Sequence, residues 1–421
     1  MPAPRITILI TLTGRDRPGV TSRLFSVLAA HQLSVLDIEQ VVIRGHLVLG
    51  VLLCCGENPD LTAIHREVTA MATDLDLEAE ITTGSGEPPR RRGSLHVTVL
   101  GSPLAPAAVA AIAGRIAASG ANIDRIGRLA DRPVTCIEFD VSGADPDGLR
   151  AALARESLDQ QTDVAVQRGG LHRRAMRLIV MDVDSTLIRG EAIDLLAARA
   201  GCGEKVAALT DAAMRGELDF AESLRERVAL LAGLEITAVD SARSELRLAP
   251  GARTLIRTLK RLGYRCGIVS GGFTQFTDGL VADLGIDYAA ANTLEVADGR
   301  LTGRVTGPVI DRAGKALALR RFAAAAGTPL SQTVAVGDGA NDLDMIAAAG
   351  LGIAFNARPA VRDAADASVS VPNLDVILYL LGISRDDVEA ADAADEIPAA
   401  GQPAPATGPA SRPQAAGGGV Q

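Results

Sequence analysis

Apolar and polar positions along the first 85 residues predict a small domain of alternating strands and helices. Apolar residues three or four apart, such as Val20, Leu24 and Val27, predict a helix, whereas short stretches of aliphatic residues predict strands. Two such stretches flank Gly45, which predicts a hairpin. The order is strand, helix, strand, strand, helix, strand, which is the ferredoxin-like βαββαβ arrangement. The six elements cover residues 6–12, 20–31, 34–44, 46–55, 61–73 and 76–82.

The same order of elements returns in the next segment of the chain. The repeat distance is about 88 residues, with Ser34 aligned to Asn122, so one small domain is duplicated. A break rich in Gly, Pro and Arg at 84–94 and a second break at 168–174 predict the connections on either side. The predicted elements of the second copy cover residues 95–100, 105–118, 123–130, 134–142, 146–156 and 163–167.

Changes of composition along the chain predict four parts. Two small domains cover 1–84 and 95–170, and a larger domain covers 175–384, with a helical insertion at about 190–250. From residue 385 the chain becomes acidic and rich in Ala, Pro and Gly, without apolar periodicity. This composition predicts a disordered tail over 385–421.

Two acidic residues follow a short apolar stretch at 177–180, which is typical of a buried parallel strand. Asp182 and Asp184 therefore lie at the carboxyl end of a predicted strand, where open α/β sheets bind ligands. They point to the same side of an extended segment, and two neighbouring carboxylates repel each other unless a cation or a proton intervenes. Mg²⁺ prefers oxygen ligands and meets this requirement. The alternatives are an ordinary turn or a calcium loop, although the further ligands of an EF-hand loop are absent.

Three further motifs follow this acidic pair. A predicted strand ends in Ser270-Gly271-Gly272, Lys315 opens a predicted helix, and another strand ends in the sequence GDGAND at 337–342. Each motif alone is weak, but in this order they resemble the haloacid dehalogenase superfamily of phosphatases over about residues 177–381. The resemblance implies an α/β fold with a Rossmann-like core and a helical cap.

The resemblance also implies a mechanism for phosphate-ester hydrolysis. Asp182 would be the nucleophile and become phosphorylated. Asp184 would protonate the leaving alkoxide and then accept a proton from water. Mg²⁺ would be held by the carboxylates of Asp182 and Asp338 and by the backbone carbonyl of Asp184.

The other motif residues are assigned to the phosphate by the same resemblance. Ser270 and the Gly271 amide would bind phosphate oxygens, and Lys315 would neutralise their charge and orient the nucleophile. Asn341 would support the phosphate site. Asp342 would pair with Lys315 or lie behind the metal ligands and orient them.

The helical insertion between residues 187 and 250 is long enough to cover the site and read the substrate. It resembles the cap of the phosphoserine phosphatase family. The implied substrate contacts are Glu191 with the ammonium, Arg227 with the carboxylate, and Met214 and Phe220 as apolar walls. Taken singly, each has an ordinary explanation: an acid early in a helix, a surface charge or a core side chain. Arg225 is the competing candidate for the carboxylate.

The turn after the first predicted strand, RDRPG at 15–19, makes the first small domain resemble an ACT domain, a module that usually binds amino acids. Pro18 suits the start of a helix, and Gly19 lets backbone amides approach a ligand carboxylate, although the pair can also simply form a tight turn. Asp16 and Gly19 are the candidate regulatory residues, with serine as the expected effector. The aligned turn of the second copy, at 103–107, lacks both the Asp and the Gly, which favours a structural role. The resemblance also implies a homodimer or a higher homo-oligomer.

Composition limits which partners the protein is expected to bind and indicates its cellular compartment. The formal charge is −9, from 42 basic and 51 acidic residues, which disfavours sequence-independent binding of nucleic acid. The most apolar stretch, at 47–55, is less than half of the roughly 20 residues that span a membrane, so no membrane partner is expected. The five cysteines are odd in number and include no C-x-x-C pair. They indicate reduced thiols in the cytoplasm rather than a zinc site.

Taken together, the resemblances imply Mg²⁺-dependent hydrolysis of O-phospho-L-serine to L-serine and phosphate, the last step of serine biosynthesis, under control by an amino acid. Other hypotheses stay open. The substrate could be another small phosphomonoester, or the phosphoryl group could pass to a second alcohol. A non-catalytic amino-acid sensor would keep the fold without the reaction, although none of the expected chemical groups is absent. A phosphoprotein substrate is disfavoured by the predicted cap.

Overall fold

The computed structural model describes residues 6–56, 59–85, 95–214 and 219–396 of the 421-residue chain. The chain forms two compact units, Met1–Arg91 and Arg92–Gln421. Within the described ranges, no helix combines the length and the apolar composition that crossing a membrane requires.

The first unit is an antiparallel sheet with two helices, as the apolar pattern predicts. Its elements are β1 (Ile6–Arg15), α1 (Val20–Leu28), β2 (Leu33–Ile43), β3 (His46–Cys55), α2 (Leu61–Asp74) and β4 (Leu77–Ser85). The strand order is β2-β3-β1-β4. Leu24, Val51 and Val68 lie together in its buried apolar cluster. Burial of each such side chain contributes about 1.5–3 kcal/mol to folding.

Strand β2 lies at the edge of this sheet and pairs with β3. All of its residues except the first are exposed. The apolar side chains of Val35, Val41 and Ile43 expose 53%, 50% and 67% of their surface. An edge strand with unpaired backbone groups and exposed apolar side chains is a template for pairing with another strand.

The second unit begins with a second copy of the same domain. Its elements are β5 (Leu95–Gly101), α3 (Pro106–Ala118), β6 (Asn122–Ala130), β7 (Thr135–Ser142), α4 (Pro146–Asp159) and β8 (Asp163–Arg168). The order β6-β7-β5-β8 repeats that of the first sheet, so the predicted duplication is confirmed. A short helix, α5 (Leu171–Arg174), leads from this domain to the next.

A seven-stranded sheet forms the centre of the larger domain. Its strands are β9 (Leu178–Asp182), β10 (Arg265–Phe273), β11 (Tyr288–Ala297), β12 (Arg300–Thr306), β13 (Thr333–Gly337), β14 (Leu351–Phe355) and β15 (Ala367–Val369). The order is β12-β11-β10-β9-β13-β14-β15, and every pair is parallel except β11 with β12. Leu178 and Val180 face one buried cluster and Ile179 and Met181 face another, because both faces of a parallel sheet are covered.

Ten α-helices follow β9 within the described residues before residue 385. Those of the cap are α6 (Ala192–Arg199), α7 (Gly203–Met214), α8 (Phe220–Ala229) and α9 (Ile236–Glu245), and those of the core are α10 (Ala252–Arg261), α11 (Thr274–Leu284), α12 (Arg312–Ala325), α13 (Leu343–Ala348), α14 (Pro359–Ala364) and α15 (Ile377–Leu380). The sequence predicts that helix α12 begins at Lys315, but the helix begins earlier, at Arg312. The reason is a cap: Asp311 accepts a hydrogen bond from the Gly314 amide at 2.8 Å.

Backbone bridges form between the two segments that connect the cap to the core, and between the cap and a hairpin of the core. The segments that enter and leave the cap meet in an antiparallel bridge between Ile188 and Leu248. The hairpin turn at Asp298-Gly299 connects β11 to β12, and the hairpin also contacts the cap, where the Gly233 amide donates to the Leu301 carbonyl at 2.8 Å. The hairpin therefore supports the far side of the cap.

The second small domain shares a core with the seven-stranded sheet. Leu100, Cys136 and Ala165 belong to the same buried cluster as Ile179. Asp163 at the start of β8 accepts hydrogen bonds from the amide and the hydroxyl of Ser370, at 2.6 and 2.8 Å. Burial raises the pKa of Asp163, and the bonds from Ser370 act in the opposite direction. The two domains thus form one packed body.

The connection predicted at 168–174 is ordered and largely packed. Arg173 is buried, and its guanidinium donates to the carbonyls of Tyr379 and Leu380 at 3.0 and 3.1 Å. The same guanidinium pairs with Glu138 on β7 at 2.5 Å. A buried charge needs such partners, and here they tie the connection to both domains.

The prediction of disorder from residue 385 is wrong for its first part. Arg385–Glu396 forms a helix, α16. Asp392 pairs with Arg257 and Arg261 of α10 at 2.5 Å each, and Val388 is buried. Composition alone misses this helix because its partners lie about 130 positions earlier in the chain. Residues 397–421 lie outside the described residues.

Candidate active site

The predicted site residues meet at the carboxyl ends of three adjacent parallel strands. Strand β9 ends at Asp182, β10 carries Ser270 close to its end, and Asp338 directly follows β13. Strand β9 lies between β10 and β13 in the sheet, so the three strand ends are neighbours. Ligands bind at this edge of open α/β sheets.

Lys315 lies between two carboxylates in the interior. Its ammonium nitrogen is 2.7 Å from Asp182 Oδ1 and 2.7 Å from Asp342 Oδ1. All three side chains are buried. Burial alone would lower the pKa of Lys315, but the two carboxylates raise it well above its ordinary value. The lysine therefore stays charged and offsets part of the negative charge around Asp182.

Three carboxylates converge at this place. Oxygens of Asp182, Asp338 and Asp342 lie within 4.8 Å of one another. Burial and the charge of Asp342 raise the pKa of Asp182, against the effect of Lys315. Burial and Asp342 also raise the pKa of Asp338 to about 6. Such a set of oxygen donors fits a hard divalent cation, which would relieve the repulsion.

The side chain of Asp184, whose backbone carbonyl the resemblance assigns to the metal, lies outside this cluster of carboxylates. A kink at Ser185, with φ 58°, turns the chain directly after it. Its Oδ2 accepts a hydrogen bond from the Ser270 hydroxyl at 2.9 Å, and its Oδ1 accepts one from the Ala192 amide at 2.8 Å. Its side chain therefore links the nucleophile loop, the β10 loop and the first helix of the cap.

The β10 loop approaches both Asp184 and the cap very closely. The Gly272 amide donates to the Ser270 hydroxyl at 2.7 Å. A Cβ at Gly271 would lie 2.7 Å from Phe220 of the cap, and a Cβ at Gly272 would lie 2.9 Å from Asp184 Oδ2. A side chain at either position would have to displace Phe220 or Asp184, so glycine keeps the backbone of the loop close to both.

The cap places the carboxylate of Glu191 next to the guanidinium of Arg227 above this loop. Arg227 is buried, and its Nη1 lies 3.5 Å from Glu191 Oε2 and 3.4 Å from the Thr210 hydroxyl. Arg225, the competing candidate, is exposed. Burial raises the pKa of Glu191, the Asp184 charge raises it further, and Arg227 opposes both. The side chain of Met214, at the end of α7, lies outside the described residues.

Asn341 and Asp342 form a short turn after β13. The side-chain oxygen of Asn341 lies against Gly339. Asp342 Oδ2 accepts a hydrogen bond from the Gly339 amide at 3.0 Å, while its Oδ1 faces Lys315. The turn thereby fixes the carboxylate that holds the lysine.

Sequence reasoning missed three buried or half-buried polar residues around the site. Thr186 donates to Asp338 Oδ1 at 2.9 Å, and Thr210 contacts Arg227. Asn292 contacts the backbone of the β10 loop. The signal for Asn292 is a polar residue directly after the apolar stretch 288–291, because a buried amide needs partners. The two threonines carry no comparable signal.

In the first unit, Asp16 and Gly19 line a cavity of about 350 Å³ next to the start of α1. Gly19 has φ 94°, a left-handed conformation that favours glycine. Gln40 of the edge strand β2 also lines this cavity and accepts a hydrogen bond from Thr21 at 2.9 Å. The cavity therefore lies beside the exposed edge of the sheet.

Family models agree with this division of the chain. The model of haloacid dehalogenase-like hydrolases matches residues 179–347, and models of the ACT domain match residues 6–82 and 94–167. The fold class predicted from the sequence is confirmed.

Known proteins resemble the chain over nearly its whole length. A phosphoserine phosphatase of Streptomyces coelicolor is 62% identical over 396 residues, which cover 93% of this chain and 96% of the relative. Phosphoserine phosphatase SerB2 of Mycobacterium tuberculosis is 54% identical over 411 residues, covering 95% and 100%. The unliganded crystal structure of a probable phosphoserine phosphatase from Vibrio cholerae is 33% identical, with a TM-score of 0.54, over 71% of this chain and 88% of that chain. The chain therefore belongs to the phosphoserine phosphatase family, with two ACT domains ahead of a haloacid dehalogenase-like hydrolase domain.

Proposed function

We propose that the chain hydrolyses O-phospho-L-serine to L-serine and phosphate through a phosphorylated Asp182. The observation that supports this proposal is that two complementary groups of charged side chains lie one above the other. A buried Asp–Lys–Asp set lies at the strand ends, and an acid and a base of the cap lie above the same loop. The relatives from Streptomyces coelicolor and Mycobacterium tuberculosis, both named phosphoserine phosphatases, support the same substrate.

In the first step, a carboxylate oxygen of Asp182 forms a bond to phosphorus while the bond from phosphorus to the serine oxygen breaks. The protonated carboxyl of Asp184 donates its proton to that oxygen and becomes a carboxylate. Lys315, held 2.7 Å from Asp182, orients the nucleophile and stabilises charge on the phosphoryl oxygens. L-Serine leaves, and Asp182 carries the phosphoryl group.

In the second step, water attacks phosphorus and the bond from phosphorus to Asp182 breaks. The Asp184 carboxylate accepts the proton of that water, so both residues return to their starting state. The hydrogen bond from the Ala192 amide holds Asp184 at the same place through both steps. The Gly271 amide binds a phosphoryl oxygen, and the Ser270 hydroxyl, which donates to Asp184 in the free site, donates to a second one when the substrate is bound.

The Asp182 and Asp338 carboxylates and the Asp184 backbone carbonyl would hold Mg²⁺. When bound, Mg²⁺ neutralises charge on the phosphate and on the nucleophile. Asp342 lies within reach of the same cluster, but its Oδ1 faces Lys315. Thr186 fixes the orientation of Asp338, with its hydroxyl 2.9 Å from Oδ1.

Glu191 and Arg227 match the zwitterionic end of the substrate. A serine ammonium would face the Glu191 carboxylate, and its carboxylate would face the Arg227 guanidinium, which can bind it with two parallel hydrogen bonds. Arg227 is already desolvated and held by Thr210 and the Ser223 carbonyl. Little side-chain entropy is therefore lost when the substrate binds.

The first test is phosphate release with Mg²⁺ from O-phospho-L-serine, O-phosphoethanolamine, O-phosphothreonine and p-nitrophenyl phosphate, for the wild type and for R227Q. We expect R227Q to lower kcat/KM for phosphoserine by about 100-fold, because the carboxylate of the bound substrate loses its charged partner. Phosphoethanolamine has no carboxylate, so its turnover should change less than threefold.

The matched control is R225Q, which removes the same charge from the exposed face of the same helix. The turnover of all four substrates by R225Q should equal that of the wild type. Faster turnover of another ester than of phosphoserine, or equal losses for phosphoserine and phosphoethanolamine in R227Q, would contradict the proposed substrate.

We also propose that the first ACT domain binds an amino acid, with serine as the effector, and pairs with a second copy of the chain. The cavity at Asp16 and Gly19 has an acid, the neighbouring base Arg17 and free amides at a helix start. Strand β2 presents an apolar edge beside this cavity. Pairing of two such edges would cover those side chains in a homodimer.

Sedimentation velocity and activity assays test both points in one series. The wild type should sediment as a dimer of the 43.4 kDa chain, and millimolar serine should change its activity. V41E should sediment as a monomer, because a charge then faces the partner strand, and D16N should lose the response to serine. L158E, at a side chain that is 54% exposed outside β2, is the control and should stay dimeric. A monomeric wild type, or a dimer of V41E, would overturn the pairing.

A further inference from the structure

The pairing of β10 with β11 is interrupted next to the phosphate-binding loop. Val269 pairs with Ala290, but the next pair joins Phe273 to Asn292. Three residues of β10 therefore oppose one residue of β11, which is a bulge. The bulge takes Ser270, Gly271 and Gly272 out of the ladder, so they do not pair with the backbone of β11.

The side chain of Asn292 fills this gap. Its Nδ2 donates to the Gly271 carbonyl at 2.8 Å, and its Oδ1 accepts from the Ile310 amide at 2.8 Å. Asn292 is 2% exposed, so water does not compete for either bond. Both functions of the amide are used by backbone groups that belong to different segments.

The second of these segments leads directly to the buried lysine. Ile310 precedes Asp311, which caps α12, and the Lys315 amide donates to the Asp311 carbonyl at 2.9 Å. One side chain thereby links the loop that would bind the phosphoryl oxygens to the start of the helix that carries Lys315. No other described side chain is seen to bond to both segments.

We infer that Asn292 is a positioning residue of the reaction: its carboxamide sets the distance between the Ser270–Gly272 loop and Lys315, and with it the affinity for the phosphoryl group. The inference rests on the proposed function. A loop and a lysine that each move by a fraction of an ångström bind a phosphoryl group less well, because such sites depend on alignment. Asn292 itself touches neither the substrate nor the nucleophile.

The experiment compares N292D with N292A across pH 5.5 to 8. A protonated Asp can donate to the Gly271 carbonyl and accept from the Ile310 amide, as Asn does, whereas an ionised Asp places a charged oxygen against the Gly271 carbonyl. We expect the ratio of kcat/KM for N292D to that of the wild type to fall about tenfold from pH 5.5 to 8. The ratio for N292A should be low and independent of pH, because the wild-type profile divides out.

Inhibition by inorganic phosphate gives a second readout that does not involve the serine part of the substrate. Its inhibition constant should rise about tenfold in N292A and follow the same pH dependence in N292D. N122D, at an exposed asparagine of β6, is the matched control and should equal the wild type throughout. If N292D does not fold, N292S takes its place: one hydroxyl satisfies one of the two partners, so its phosphate constant should lie between those of N292A and the wild type.

Equal pH-independent ratios for N292D and N292A, or an unchanged phosphate constant in folded N292A and N292S, would overturn the inference. These outcomes are separate from failure of the proposed function. A wild type that hydrolyses p-nitrophenyl phosphate but not phosphoserine would refute the substrate, and the same variants assayed with p-nitrophenyl phosphate and inorganic phosphate would still test Asn292.

Discussion

D182N is expected to abolish turnover of O-phospho-L-serine, with a loss of about 10⁴-fold or more in kcat, while the protein stays folded. An amide oxygen is a far weaker nucleophile than a carboxylate, and removal of a nucleophile in other enzymes has effects of this size. The shapes of the two side chains are nearly the same, so packing at the end of β9 is preserved. Phosphate release in the presence of Mg²⁺ is the measurement, with circular dichroism to check the fold.

The control for D182N is D283N. Asp283 is an exposed aspartate that pairs with Arg253 at 2.5 Å on the surface of the same domain, and it should tolerate the change without loss of activity. Residual activity of D182N within tenfold of the wild type would show that the phosphoryl group does not pass through Asp182.

K315M is expected to have the largest effect on stability of any single change in the site. It leaves the buried carboxylates of Asp182 and Asp342 without their cation, and breaking a buried pair by removing one partner costs about 3–5 kcal/mol. Activity should be lost as well, because the nucleophile and the phosphoryl oxygens lose the same charge. Urea unfolding in EDTA measures the free energy of unfolding without a bound divalent cation.

A second substitution separates the two effects of K315M. In K315M/D342L one of the two unpaired carboxylates is removed. About half of the lost stability should therefore return, whereas activity should not. K260M is the matched control: Lys260 pairs with Asp287 at 3.1 Å but is 35% exposed, and its loss should cost less than about 1 kcal/mol. If K260M and K315M cost the same, the buried charge balance around Asp182 is not what holds this site.

The apolar periods predict the local elements well, because a helix or strand of a small domain buries one face wherever it packs. The acidic and glycine motifs are equally local, since each stands at the end of one strand and parallel strands bring those ends together. The pairing of Glu191 with Arg227 is different. Nothing in the spacing of two residues 36 positions apart indicates their contact, and the family resemblance implied only that each contacts the substrate.

The errors have a common physical cause, which is dependence on partners far along the chain. Helix α16 forms because Asp392 meets arginines of α10, and a window of sequence holds only the acidic half of that pair. Thr186 is an ordinary residue until the fold places it beside Asp338, and the polar Asn292 gives no hint of its partner Gly271. The role of Met214 stays a prediction.

The common core of the second ACT domain and the phosphatase domain has a consequence for how such genes recombine. Asp163 accepts hydrogen bonds from Ser370, and Arg173 donates to carbonyls of α15. A crossover between these two domains would therefore leave buried polar groups of both domains without hydrogen-bonding partners. A crossover near residue 91 separates two units that each keep their own core. The first ACT domain is thus the exchangeable module, and the second is inherited together with the enzyme.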